Sequence, residues 1–302
     1  MSQIHINILK QGMQSKKLFS VSFFTMNDPY RDFTKYQKYL QRFLGYTKKF
    51  PDFAVRIYTD DTGKDFALQV ADSQVSVYHF DCPEFRDGLG HVGVFGPIPR
   101  FLPLFEDHDI VWISDIDVRE SFLDSAILKK KFDFSISTFP CYFRKSFNQK
   151  YTIIAHRIIS RIQLPRALLT RFLNRLSAGE LQDKVDLLNA ENVDKPKSTV
   201  PYCTDELFLN TAVYSHLKKH DLKILIELDK ILIGLIPGAA KSLSQSEEKV
   251  FYKYSVDPSQ ENAQKLRKVF QKILNTYSSK YPCLNYSLDT LEESFAIKSS
   301  DL

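Results

Sequence analysis

Apolar residues along this chain alternate between two periods, and the alternation predicts an α/β fold. Residues 18–25 (LFSVSFFT) are rich in Phe and Val and run into Asn27-Asp28-Pro29, the pattern of a strand followed by a turn. From 30 to 43, Phe33, Tyr36, Tyr39, Leu40 and Phe43 recur at three- and four-residue steps, which is helical spacing. Further strands are predicted at 55–59 (VRIYT), ending on Asp60-Asp61-Thr62-Gly63, and at 75–80. Strand, helix and strand in this order imply a mostly parallel central sheet with helices on its faces.

Residues 88–96 (GLGHVGVFG) then gather four of the chain's ten glycines. After Pro97 and Pro99 an apolar helix is expected from about Arg100, covering Phe101, Leu104 and Phe105. Residues 110–114 (IVWIS) are almost wholly apolar, as a strand buried on both faces requires, and they end on Asp115-Ile116-Asp117. Ligands of open parallel sheets bind beyond the carboxyl ends of strands, so a site is expected here. Another strand follows at 132–138. Residues 151–176 read as a helix broken by Pro165 and bearing Arg157, Arg161, Arg166, Arg171 and Arg175. A helix from Asp205 to about His220, strands at 224–228 and 231–236, and a helix from Ser259 to about Ser278 complete the pattern. The whole reads as one domain over 1–302, with a core at about 18–290 and a helical insertion at about 144–198.

Bulk properties narrow the function. At 302 residues and 43% hydrophobic content the chain can bury one sizeable core. Its net charge of +5, from 41 basic and 36 acidic residues, is too slight for a nucleic-acid binder, and no nucleic acid is expected as a partner. The most apolar stretch, 224–240, is interrupted by Glu227, Asp229 and Lys230, which argues against a membrane span. No secretory signal is legible at the start. Cys82, Cys141, Cys203 and Cys283 are scattered, which predicts isolated thiols in a reducing compartment and hence a cytoplasmic protein. The arginines at 151–176 predict a solvated basic face, or a surface for peripheral contact with anionic lipid.

The candidate chemistry centres on Asp115 and Asp117. Side chains two apart on an extended segment point the same way, so both carboxylates can converge on one cation while Ile116 packs inward. Hard oxygen donors suit Mg2+ or Mn2+, which complete their shells with water and substrate phosphates. Such an ion neutralises the charge on a departing nucleoside diphosphate. The glycine cluster with His91 lacks the phosphate-binding fingerprint, and a tight turn accounts for it equally well. Asp205 and Glu206, behind Thr204, sit where acids offset a helix macrodipole.

The run IVWISDIDVRE, preceded by RFLPLF and followed about ninety residues later by TDELFLN, resembles GT-A glycosyltransferases, in particular the glycogenin-like and bacterial lipopolysaccharide-glycosyltransferase group. The likeness extends over about 18–220. It implies a GT-A (Rossmann-like) fold, a UDP- or GDP-sugar donor, a glycan or glycoconjugate acceptor, and Mn2+ or Mg2+ held at Asp115 and Asp117. It also implies that Arg100 lies near the donor and that Asp205 or Glu206 acts on the sugar or the acceptor. Tyr30 and Asp60, at predicted strand ends, stand where such folds hold the nucleotide base and ribose. The group's late His-X-X-Gly-X-X-Lys motif is absent, because no histidine follows His220, so a third protein ligand is unassigned. The order of motifs leans toward retention of anomeric configuration. Two rivals remain: a sugar-phosphate nucleotidyltransferase, which would carry a Gly-rich basic loop where this chain reads TMNDPYRD, and a catalytically silent carbohydrate-binding protein of the same fold.

Overall fold

The structure, a computed structural model, describes residues 3–25, 32–118, 120, 123–139 and 152–228, together with positions 261, 264, 265, 268, 269, 271 and 272. The chain divides into two compact units, residues 1–135 with 155–224, and residues 136–154 with 225–302. The first holds β1 (His5–Lys10), β2 (Lys17–Ser22), α1 (Phe33–Thr47), β3 (Ala54–Thr59), α2 (Lys64–Val70), β4 (Val75–Asp81) and the short hairpin β5 (Arg86–Asp87) and β6 (Gly90–His91). It continues with β7 (Ile110–Ser114), the start of β8 (Phe134–Phe139), most of β9 (Thr152–Ser160), α3 (Ala167–Ser177), α4 (Gln182–Glu191), α5 (Thr204–Phe208) and α6 (Tyr214–Lys219). The described part of the second unit comprises the rest of β8 and β9, all but the first residue of β10 (Ile224–Leu228), and the scattered helical positions after 260.

Strands β4, β3, β2 and β7 lie parallel in that order, β1 pairs antiparallel with β4, and β9 pairs antiparallel with β7. Within the first unit the hydrogen-bonded order is β1-β4-β3-β2-β7-β9. This is an α/β architecture with a large, mixed sheet, parallel at its centre and compatible with a Rossmann-like fold. From β2 the chain adds β3 and β4 on one side, and β7 then joins on the other. The carboxyl ends of β2 and β7 therefore flank a topological switch point, the place where such sheets open a crevice.

The core explains why these segments adopt these elements. Phe19 on β2 meets Phe43 of α1 at 6.1 Å, Phe53 at 5.0 Å and Trp112 of β7 at 5.4 Å between ring centroids. All four side chains are buried, each worth about 1.5–3 kcal/mol of apolar transfer. Leu40, Phe43 and Leu44 form the inward stripe of α1, and the Asp32 side chain caps its start by accepting from the Lys35 amide at 3.1 Å.

Three sequence expectations need correction. Residues 152–160 form a strand, not the first half of a helix. Ile153, Ile154, Ala155, Ile158 and Ile159 are all buried, so both faces are apolar and periodicity alone cannot separate strand from helix; the β-branched isoleucines favour the strand. The continuous basic helix expected over 151–176 thus resolves into a strand, a Pro165 break and the helix α3, while α3 and α4 lie within the bounds of the expected helical insertion. Arg161 packs over Phe132 at 4.5 Å and Arg175 pairs with Glu180, so these charges are distributed over separate elements. Residues 98–105 form a 3-10 helix rather than an α-helix, since Pro103 removes a donor from its interior. The Asp-X-Asp motif does not continue β7, which ends at Ser114; Ile116 and Asp117 form a turn. The predicted strand 231–236 lies outside the described residues. Among the described residues no helix is long and apolar enough to cross a membrane.

Candidate functional site at the switch point

Arg100 organises the carboxyl end of β7. Its segment is fixed to β2 by Ser20, whose hydroxyl donates to the Arg100 carbonyl at 2.6 Å. The side chain is only 4% exposed. Nη1 donates to Asp115 Oδ1 and reaches the Ser114 carbonyl at 3.4 Å, while Nη2 donates to the Ala155 carbonyl at 3.1 Å and to Asp205 Oδ2 at 2.8 Å. One guanidinium thus ties together the end of β7, the strand β9 and the start of α5. Burial works against its charge, but the attraction of Asp115 and Asp205 outweighs it and raises its pKa above the usual value.

Asp205 and Glu206 lie in the first turn of α5, both largely buried. The turn follows Cys203, a non-glycine residue in the left-handed region with φ of 72°. A Thr204 hydroxyl bond to the Pro201 carbonyl at 2.7 Å holds the approach. Below the acids, Phe208 packs on Phe101 at 5.7 Å and Phe172 at 5.2 Å, and Leu207 is fully buried. A π-turn over Leu209–Val213 joins α5 to α6, and such irregular turns gather at functional sites. Burial pushes the Asp205 carboxyl above the ordinary carboxylate range, with Arg100 offsetting only part and the nearby charge of Asp115 adding to the rise.

At the motif itself Ile116 is buried, Asp115 is half-exposed with one carboxylate oxygen on Arg100, and Asp117 is exposed. Among the described residues no three His, Cys, Asp or Glu side chains converge to hold a metal by themselves. Two hard carboxylates fit Mg2+ or Mn2+ completed by water and phosphate oxygens, and do not fit an all-protein cage. Strand β9 adds neighbours that the sequence reading missed. Arg157 is paired with Ser114, and the Asp115 amide donates to the His156 carbonyl at 3.1 Å. Reading the isoleucine-rich run as a strand beside β7 was the signal that would have placed them here.

Asp60 serves the fold and not an open pocket. It accepts from the Thr62 amide at 3.0 Å and from the Thr62 hydroxyl, and His91 Nδ1 lies 3.3 Å from its other oxygen. Both the Asp60 and His91 side chains are 1% exposed. His91 Nε2 accepts from the Cys82 amide at 3.1 Å, which leaves the proton on Nδ1, facing Asp60; Asp81 Oδ1, at 3.6 Å from Nε2, is beyond hydrogen-bond reach. The glycine-rich loop is therefore pinned inward through His91, stacked on Phe95 at 5.2 Å, and a ribose role for Asp60 finds no open face. Tyr30, Cys141 and Cys283 lie outside the described residues, whereas Cys82 and Cys203 are buried.

The chain matches no protein-family model, and no curated protein resembles it at a significant level. Fold and site together define an α/β protein in which Asp115 and Asp205 meet on one buried arginine beside the switch point of its sheet.

Proposed function

We propose that the protein is a metal-dependent glycosyltransferase that moves a sugar from a nucleoside-diphosphate sugar to a glycan, lipid or protein acceptor. The observation that carries this reading is the meeting of Asp115, at the end of β7, with Asp205, at the start of α5, across the single guanidinium of Arg100. Asp115 and Asp117 would hold Mg2+ or Mn2+, which when bound supplies the positive charge that a departing diphosphate needs. Asp205 faces the same crevice from the opposite side, the position of a group that orients the transferred sugar or takes a proton from an acceptor hydroxyl. Its raised pKa brings it closer to the range in which a carboxyl exchanges protons. Glu206, buried beside it, shapes the same wall. Arg100, enclosed by protein acceptors, orients both acids rather than reaching for the donor itself.

The test is titration of UDP- and GDP-sugars with and without manganese, with donor hydrolysis and transfer followed on the same samples. Manganese-dependent binding that disappears in Asp117→Ala supports the reading, and nucleotide affinity unchanged by chelator overturns it. Product formed from a nucleoside triphosphate and a sugar phosphate would identify a nucleotidyltransferase instead. Binding without turnover would identify a silent carbohydrate-binding protein.

A further inference from the structure

A carboxylate offered to a cation is normally free to turn toward it, yet Asp115 is already engaged by Arg100. The guanidinium spans Asp115 and Asp205 on separate nitrogens, with the Ser114 and Ala155 carbonyls as further acceptors. We infer that Arg100 is an internal counterion that competes with the divalent cation for Asp115 and releases that carboxylate only when the cation arrives. This rests on the reading of Asp115 and Asp117 as cation ligands. The arrangement makes the exchange feasible because Arg100 can leave Asp115 and keep its charge balanced by Asp205, whose oxygen lies at 2.8 Å. A cation and a guanidinium on the same carboxylate repel one another at close range. Cation binding is therefore weaker than two carboxylates alone would give, and each binding event leaves Arg100 to Asp205. Arg100 is in this sense a positioning residue: the arrival of the ion on one wall of the crevice fixes the acid on the other.

The planar fork is essential to this, because a lysine ammonium cannot bridge both acids in the same way. That separates competition for a shared ligand from a general effect of nearby positive charge. Manganese binding is measured without nucleotide, by calorimetry and by the electron paramagnetic resonance signal of free Mn2+, on the full chain and on Arg100→Gln, Arg100→Lys and Asp205→Asn. Circular dichroism melts confirm folding. Arg100→Gln is expected to bind manganese about tenfold tighter, or to bind where the parent shows none. Arg100→Lys, which keeps the charge, is expected to bind several-fold tighter than the parent. Asp205→Asn is expected to bind more weakly, since among the described residues the ion pair that remains to Arg100 is then that with Asp115. Equal or weaker binding in folded Arg100→Gln overturns the inference, as does parental affinity in Arg100→Lys. If Arg100→Gln does not fold, tighter or unchanged binding by Asp205→Asn overturns it. Manganese binding by the parent in the presence of UDP together with a failed Arg100 series removes this inference alone. No manganese binding by any variant, with or without UDP, removes the inference and the metal-dependent reading together.

Discussion

Arg100 Nη2 lies 2.8 Å from Asp205 Oδ2, joining residues 105 positions apart in the chain. The Asp205 side chain is 11% exposed and that of Arg100 4%, so neither charge has water to fall back on. A buried pair of this kind is costly to break from one side, because the survivor remains unpaired in a poorly solvated place.

Arg100→Ala is accordingly expected to lower unfolding free energy by about 3–5 kcal/mol. Asp205→Ala should also destabilise, and the double variant should lose less than the sum of the two. Urea unfolding of all four proteins reads the coupling. Additive losses would show that the two side chains are held independently.

Asp205→Asn separates chemistry from capping. The amide keeps an oxygen for Arg100 and preserves most of the helix start, so melting temperature should change little, and nucleotide affinity at saturating manganese should stay near that of the parent. Transfer should fall at least about tenfold, which corresponds to roughly 1.4 kcal/mol of transition-state stabilisation. Unaltered turnover per folded molecule would take Asp205 out of the reaction.

The left-handed backbone at Cys203 sets a second test at the same helix start. Replacing Cys203 with alanine or glycine removes the same thiol contacts, but only glycine adopts a φ of 72° without penalty. Cys203→Gly is expected to be about 1 kcal/mol more stable than Cys203→Ala, and Cys203→Val less stable than either. Thermal melts giving alanine above glycine would contradict the strained turn.

A third test uses pH, away from the crevice. The Lys64 ammonium donates to Asp61 at 2.8 Å, and against the opposing effect of burial this bond, with Arg86 and His79, holds the Asp61 carboxyl at about 2, below its ordinary 3.8. A carboxylate depressed in the folded state adds stability that is fully present above about pH 4 and is lost as pH falls from there toward 2. Asp61→Asn should therefore melt below the parent at pH 7, and the gap should close by pH 2. A constant gap across that range would mean that the ion pairs of Asp61 contribute nothing.

Much of the parallel half was legible in the sequence. The strands near 18, 55, 75 and 110 and the helix after residue 30 each carry one clear period, because each buries one stripe or is buried on both faces. The Asp-X-Asp position followed from the end of the most apolar strand, and the start of α5 from its acids behind Thr204. What stayed hidden depended on partners distant in sequence. β1 is exposed on both faces and is held in the sheet by β4; the alternation of Ile4, Ile6 and Ile8 with polar residues is a strand signal that the sequence reading passed over. α2 buries only Ala67, too little for a periodic stripe. Strand β9 reads equally as helix until β7 is beside it. Arg100 looked like a donor contact because one-dimensional proximity to the motif cannot show that Asp205 closes the space around it.

The two parallel partners of β2 differ in how far along the chain they must be gathered. Leu18 pairs with Ala54 on one side and with Val111 on the other, loops of roughly 36 and 93 residues, and by chain entropy the longer costs only about 0.8 kcal/mol more to close. Stability is barely affected, but the order of assembly is: non-local pairings slow folding, so β2, β3 and β4 are expected to associate before β7 docks. The acidic crevice then forms last, since Arg100 cannot find Asp115 and Asp205 until β7 and α5 are both in place. Trp112 is the chain's single tryptophan and sits fully buried on β7, so its fluorescence during refolding reports that late step directly. Amide protection on β3 preceding the tryptophan change in pulsed hydrogen exchange would establish the sequence of events, and simultaneous protection would refute it. Until docking is complete the apolar faces of β7 stay open to other chains, so aggregation during refolding should rise with protein concentration in the interval before the Trp112 signal settles.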